Sequence, residues 1–306
     1  VKQPGELQAG ETVIMIDSRQ RRYLVMLRTA GEFHTHAGVV PHDQIIGSPE
    51  GSTFRSGSGA RFIAVRPTLA DHVLKMPRGA QVIYPKDLGA IWMLADVRAG
   101  MTVFETGVGS GAMSATLLRC GASVTGYELR EDFAERAVLN VESIAGAEAL
   151  DRYDVQLRDA YESVDPPRSP APLGDVAADT ANETAAGEAT AGDGAGTEEV
   201  GAEEVGSHAT SAEPRYDRAV LDIPEPWRVA VHLPERLRRG GILVAYNPSV
   251  TQVQQLRRTL EEGPWALIET IEVMHRSWHV KGASVRPDHR MVAHTGFLTH
   301  ARLIEA

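Results

Sequence analysis

Cysteine is almost missing from this chain: a single thiol, Cys120, occurs in 306 residues. An intrachain disulfide is therefore excluded, and the composition suits a reducing compartment. Its place in the apolar run Met113 to Cys120 makes it a packed helix residue rather than a reactive group. No apolar run approaches the roughly 18 to 20 residues that a membrane helix needs, and Val1 to Thr12 lacks the basic-then-apolar order of a secretory signal. The sequence is thus expected to be cytoplasmic, with no membrane contact. Positive charge is also scarce, with 31 Lys and Arg against 41 Asp and Glu and a net charge of −10.

That deficit counts against a nucleic-acid partner only if it is spread evenly, because phosphate contacts need local Lys and Arg. It is not spread evenly. Between Asp165 and Arg215 there are 11 acidic residues against two basic ones, a net −9 of the total −10. The remainder is nearly neutral and holds basic clusters at Arg19, Arg21 and Arg22 and at Arg236, Arg238 and Arg239, which could line a polyanion site or form solvated faces.

With 42% hydrophobic and 24% charged residues, the chain has the composition of a globular protein. Its length fits one α/β catalytic domain plus a small appended one. Thr12 to Ile16, Tyr23 to Leu27 and Arg61 to Val65 are short β-prone runs separated by turn residues, which predicts a small β domain over 1–66. A connector over 67–87 follows, within which Pro67 to Pro85 reads as loop. From Leu88 to Ala306 helices and strands alternate. Leu88 to Val97, Ala112 to Arg119 and Asp132 to Ile144 have helical spacing; Thr102 to Glu105, Ser123 to Glu128 and Tyr153 to Arg158 read as strands. This is the pattern of a doubly wound parallel sheet.

Residues 166–214 interrupt that sheet. They are dominated by Ala, Gly, Glu and Thr with no aromatic residue, so they cannot bury enough surface to offset the entropy of ordering and are expected to be a disordered acidic insertion. The sheet should resume with a strand at Tyr216 to Asp222, a helix at Trp227 to Arg238, a strand at Ile242 to Asn247 and a helix at Thr251 to Glu262. Two final strands, Leu267 to His275 and Met291 to Thr299, joined by a polar connector, should pair antiparallel.

The chemistry is concentrated at predicted strand ends. Glu105-Thr106-Gly107-Val108-Gly109-Ser110-Gly111 runs from a strand through a glycine turn into a helix, where backbone can approach a nucleotide-like ligand closely. Gly107, Gly109 and Ala112 also satisfy a dinucleotide fingerprint, and Glu128 lies where either kind of site needs an acid for ribose hydroxyls. Glu105 would repel a pyrophosphate but helps hold the cationic methionine end of S-adenosylmethionine. Asp159, after the third strand, can accept from an adenine amino group. Asp222-Ile223-Pro224-Glu225-Pro226-Trp227 closes the fourth strand, with two prolines stiffening the backbone around the acid.

Together the acid-x-Gly-x-Gly-x-Gly turn, the Asp-x-Pro-x-Pro-Trp segment and Gln81-Val82-Ile83-Tyr84-Pro85-Lys86-Asp87 resemble the tRNA (adenine-58-N1)-methyltransferase family. His34-Thr35-His36-Ala37-Gly38, Pro41-His42-Asp43 and Ile45-Ile46-Gly47 resemble its N-terminal β domain, and Arg286 to Met291 with His294 to Leu298 resemble its C-terminal segment. Only the acidic insertion departs from the pattern.

The resemblance implies a class I S-adenosylmethionine-dependent methyltransferase, with a Rossmann-like, mostly parallel seven-stranded sheet whose final strand is antiparallel. It implies a homotetramer acting on the T-loop of tRNA. Asp222 would be the catalytic acid residue and would also face the cofactor, Tyr84 and Tyr246 would wall the adenine pocket, and Gln81, Glu105, Gly107 to Gly111, Glu128 and Asp159 would hold S-adenosylmethionine. It carries no metal, so His34, His36, His42 and Asp43 are assigned ordinary loop hydrogen bonds rather than a zinc site. Three alternatives remain at this stage: an NAD-dependent oxidoreductase, an isoaspartyl-type protein methyltransferase and a non-catalytic tRNA-binding subunit.

Overall fold

A computed structural model describes residues 5–79, 81–168 and 213–305. Most of the acidic insertion, 169–212, lies outside the described residues. The N-terminal region is built from six short strands, β1 (Thr12–Asp17), β2 (Arg22–Met26), β3 (Glu32–Thr35), β4 (Gly38–Pro41), β5 (Thr53–Arg55) and β6 (Arg61–Val65). Four of them form an antiparallel sheet in the order β2-β1-β6-β5, and β3 and β4 form a separate hairpin. Their inward side chains, among them Val13, Met15, Phe33, Val40, Phe54 and Phe62, make an apolar core of their own.

The stretch expected to be plain connector carries a helix, α1 (Leu69–Lys75). Thr68 and Asp71 close a capping box over its first turn, which gives a seven-residue helix the end contacts it needs. The next helix, α2 (Pro85–Ala95), starts three residues earlier than the apolar spacing suggests, because Pro85 sits at the first helical position, where its missing N–H costs nothing.

Beyond α2 the chain alternates: β7 (Thr102–Thr106), α3 (Ala112–Arg119), β8 (Ser123–Glu128), α4 (Glu131–Ala145), β9 (Tyr153–Leu157), β10 (Tyr216–Leu221), α5 (Pro226–Ala230), α6 (Leu233–Arg236), β11 (Leu237–Asn247), α7 (Val250–Glu261), β12 (Trp265–Glu272), β13 (Trp278–Lys281), β14 (Ser284–Pro287) and β15 (Phe297–Leu303). Seven of these strands form one sheet in the order β12-β15-β11-β10-β7-β8-β9. The pairings β10–β11, β10–β7, β7–β8 and β8–β9 are parallel, and β15 runs antiparallel to both its neighbours. β10 is buried at five of its six positions, as expected of a central strand covered on both faces.

Three expectations about this region are corrected. The helix expected over Trp227 to Arg238 is two short helices, α5 and α6, and the chain is already in β11 at Leu237. Pro234 has no N–H to donate to the preceding turn, so a continuous helix cannot pass it. The connector between the last two strands contains the β13–β14 hairpin. The closing strand is Phe297–Leu303 rather than Met291 to Thr299: Met291 and Val292 are exposed, and pairing with β11 and β12 starts at Phe297.

Arg218, in the middle of β10 and 2% exposed, ties the sheet to α2. Its guanidinium donates to the carbonyls of Ala95 and Asp96 and to the Asp96 carboxylate, groups left open at that helix's C-terminus. Among the described residues no helix is long and apolar enough to cross a membrane.

Candidate active site

The sheet changes winding direction between β7 and β10, since β8 and β9 extend from one side of β7 while β10 and β11 extend from the other. Open α/β sheets bind ligands at the carboxyl ends of their strands at such a point. A cleft of about 590 Å³ lies there, lined by Gln81, Gly107, Gly109, Glu128, Asp159 and Asp222, with Arg130, Phe133, Arg158 and Tyr161 among its other walls.

Gly107 is where the two halves of the cleft touch. Its φ is +80°, and a Cβ there would lie 2.0 Å from the Asp222 carbonyl oxygen. The Asp222 N–H donates to the Thr106 carbonyl at 2.9 Å, so the glycine turn and the Asp222 loop are joined backbone to backbone. Gly111, with φ +78°, caps α3, and a Cβ there would meet Ala137 of α4 at 3.0 Å. It therefore serves helix packing, while Gly107 and Gly109 face the cleft. Val108 is buried against Gly126 of β8. Ser110 is also buried; its carbonyl accepts from Asn140, and its hydroxyl has no protein partner among the described residues.

Glu128 ends β8 inside the cleft. One oxygen accepts from the Gly109 N–H at 2.9 Å, and the other from the N–H groups of Leu129 and Arg130 at 3.0 and 3.1 Å. These bonds fix the carboxylate and leave it lone pairs for hydroxyl donors. Asp159 accepts from the Tyr161 N–H at 2.8 Å.

Glu105 does not line the cleft. It is 2% exposed and accepts from the Ser114 hydroxyl at 2.7 Å, which in turn accepts from the Tyr153 phenol at 2.8 Å. Burial pushes Glu105 up to about 8, with the charges of Asp222 and Glu128 adding to it and the Ser114 hydrogen bond opposing it.

Asp222 is held by a stiff loop. Gln252 of α7 donates to the Pro224 carbonyl at 2.9 Å, and the Glu225 N–H donates to the Tyr161 phenol at 3.1 Å. Burial alone pushes the Asp222 carboxyl up to about 7. Tyr84 and Tyr246 do not line the cleft of the cofactor-side residues. Tyr84 caps α2, and Tyr246 in β11 is 8% exposed, its phenol donating to the Thr295 carbonyl at 2.6 Å. Burial pushes Tyr246 up to about 12, with the Thr295 hydrogen bond opposing it and the charges of Asp87, Asp222 and Tyr84 adding to it.

Sequence reasoning missed Tyr161, Arg130 and Phe133. The Arg130 guanidinium lies 3.9 Å over the Phe133 ring at the cleft wall, a pairing whose i,i+3 spacing was available but uninformative without the cleft. The basic clusters are largely neutralised inside the protein: Arg21 pairs with Asp17, Arg22 with Asp71, Arg236 with Glu213 and Arg238 with Asp217. The N-terminal histidines have separate duties. His34 pairs with Glu32, His36 meets Arg21, and His42 and Asp43 accept from the Arg28 and Ala30 N–H groups.

Residues 5–54 match the TrmI-like N-terminal family, and residues 61–163 and 201–286 match the family described as tRNA methyltransferase complex GCD14 subunit. The chain is 30% identical to the tRNA (adenine(58)-N(1))-methyltransferase TrmI of Thermus thermophilus, over 95% of this chain and 96% of that one. It is also 30% identical to the tRNA (adenine(57)-N(1)/adenine(58)-N(1))-methyltransferase TrmI of Methanocaldococcus jannaschii, over 95% and 94%. Among solved structures, a SAM-dependent O-methyltransferase from Thermotoga maritima superposes with a TM-score of 0.79 at 27% identity, over 100% of this chain and 97% of that one. The tRNA (m1A58) methyltransferase TrmI of Aquifex aeolicus shares the fold with a TM-score of 0.72 at 23% identity, over 98% and 100%. On fold, cleft and sequence together, the chain belongs to the tRNA methyltransferase family of the GCD14 subunit, with a TrmI-like N-terminal region.

Proposed function

We propose that this protein is a tRNA (adenine(58)-N1)-methyltransferase that takes its methyl group from S-adenosylmethionine. The observation that carries the reading is Asp222: a carboxyl at the cleft wall, on a proline-stiffened loop bonded directly to the glycine turn. A family made of tRNA methyltransferases supplies the substrate class.

The residues of the cleft fit the cofactor. Its volume suits a ligand of that size, Glu128 presents a fixed carboxylate to ribose hydroxyls, Asp159 is free to accept from an adenine amino group, and Gly107 and Gly109 leave room beside them. Gln81 closes the same space. Glu105 sits behind the turn, bonded to Ser114, rather than in the cleft. When bound, the cofactor supplies a sulfonium methyl that can be transferred in line.

Adenine N1 has a lone pair and needs no strong base; it needs a fixed position and a neighbour that tolerates the positive charge developing on the ring. The Asp222 carboxylate, accepting from the exocyclic N6 amino group, does both. Tyr246 and Tyr84 wall the pocket that receives the base. Because adenosine 58 is folded into the tRNA elbow, the nucleotide must leave its stack to reach Asp222.

The separate apolar cores of the small and large sheets support an N-terminal domain over about 1–66 and a catalytic domain from about 88 onward, joined by the α1 segment. Exposed Trp278, Val280 and Val285 on the β13–β14 hairpin support assembly with further copies of the chain, as a homotetramer, and sedimentation of the purified protein reads that state. The enzyme is proposed to work in the cytoplasm, where its substrate is.

The experiment is methyl transfer from labelled S-adenosylmethionine to an unmodified tRNA transcript and to the same transcript with guanosine at position 58. One-methyladenosine at 58 in the first and no label at that position in the second is the expected result. Cofactor binding without any RNA methylation would reject the reading in favour of a protein substrate or a non-catalytic subunit.

A further inference from the structure

The segment Gln81 to Asp87 contributes Gln81 and Tyr84 to the site but leaves Lys86 and Asp87 without a part in it. Both are buried, with side-chain exposures of 6% and 0%. The Lys86 ammonium donates to the Asp87 carboxylate at 2.7 Å, to the Val273 carbonyl at 2.6 Å and to the Thr295 hydroxyl at 2.6 Å. The Thr295 hydroxyl passes its own hydrogen to the other Asp87 oxygen at 2.7 Å. Every hydrogen of the ammonium and of the hydroxyl is therefore placed, and the cluster has no proton to spare for chemistry.

What the cluster holds is the strand-to-loop segment that contains Thr295 and Gly296. The Thr295 carbonyl receives the Tyr246 phenol hydrogen bond at 2.6 Å. Gly296 lies against the same ring: a Cβ there would stand 2.5 Å from Cζ, 2.6 Å from Cε2 and 2.9 Å from the phenol oxygen of Tyr246. Gly296 is not among the glycines with positive φ. Its lack of a side chain is thus explained by the ring's closeness rather than by backbone conformation. The other end of the network is the first turn of α2, whose cap is Tyr84.

We propose that Lys86, Asp87, Thr295 and Gly296 form a positioning frame that sets where the Tyr246 ring stands in the adenine pocket. None of the four is a catalytic residue. The proposal rests on the reading in which Tyr246 walls that pocket. A methyl group at 296 must drive the ring about 1 Å from its place to restore ordinary contact, and a misplacement of that size near a reacting base costs on the order of 10²-fold in turnover.

The test is a double-mutant cycle on methyl transfer to tRNA, with cofactor binding measured on every variant. Gly296→Ala is expected to lower kcat by about 10- to 100-fold with cofactor affinity retained, and to add no loss in a Tyr246→Ala background, where no ring remains to be displaced. Thr295→Val, read in the same cycle, covers the case in which Gly296→Ala does not fold. Equal losses in both backgrounds, or unchanged kcat for Gly296→Ala, would overturn the frame while leaving the pocket reading intact. Full turnover by Tyr246→Ala alone would overturn the pocket reading, and the frame with it.

Discussion

On the β8–β9 side of the cleft the polar groups lie close to strand ends and are fixed by backbone N–H groups of the adjoining turns: Glu128 by those of Gly109, Leu129 and Arg130, Asp159 by that of Tyr161. On the β10–β11 side the residues are gathered from far apart, with Lys86 reaching a hydroxyl 209 positions away and Gln252 bracing Pro224. The first side is a local motif that many ligands of one class can use. The second is a tertiary assembly, the one to which the proposed function assigns the base. If so, damage to the first should appear as lost cofactor affinity and damage to the second as lost turnover.

The junction between the two sides should be the most sensitive point. Gly107→Ala adds backbone strain of about 1–2 kcal/mol at a left-handed residue and a Cβ that overlaps the Asp222 carbonyl. Calorimetry should find no measurable cofactor binding, and thermal melting should find a less stable protein. Glu128→Ala keeps the base side whole. Loss of charge-assisted bonds worth about 1.5–3 kcal/mol should raise the cofactor Kd roughly 10- to 100-fold, with kcat at saturating cofactor unchanged.

Acidity distinguishes the sides more gently. Asp222 must be ionised to accept from N6, and its pKa is raised to about 7, so kcat/KM should rise with pH through that value and level off above it. Stability should move the other way. Asp222 and Glu105 both have folded-state values above their ordinary ones, so the stability linked to their protonated forms is present at acid pH and lost as pH rises through about 7 and about 8. Melting of the ligand-free enzyme at increasing pH should show this decline, and Glu105→Gln should flatten it.

The smallest effect is expected at His294, at the outer edge of the base side. Its two ring nitrogens face only acceptors, the Glu272 carboxylate at 2.7 Å and the Pro248 carbonyl at 3.0 Å, so both must carry hydrogen. The Glu272 hydrogen bond, then that to Pro248, raises its pKa. NMR titration should find the ring protonated above the pH usual for histidine, and the His294 contacts to Glu272 and Pro248 should weaken as pH passes that raised value.

The same division governs what the sequence disclosed. The glycine turn, Glu128, Asp159 and the Asp222 loop are each written in consecutive residues, and the long alternating elements from β7 to α4 follow from hydrophobic spacing. The strands β3, β4 and β5, three or four residues each, are too short to show a period. The β13–β14 hairpin is exposed along nearly its whole length, so it has no buried face to write an alternation. Lys86, Asp87, Thr295 and Gly296 look ordinary one by one. Their meaning is a set of distances that only folding creates. The position of Glu105 beside the turn suggests a ligand contact, but that its carboxylate accepts from Ser114, which also accepts from Tyr153, is legible only in the folded chain.

The most direct test of the account is Asp222→Asn, with cofactor binding and tRNA methylation measured on the same preparation. S-adenosylmethionine should still bind to this variant while methyl transfer to adenosine 58 falls by at least about 10- to 100-fold, the worth of one charge-assisted hydrogen bond. Full turnover by the variant would contradict it.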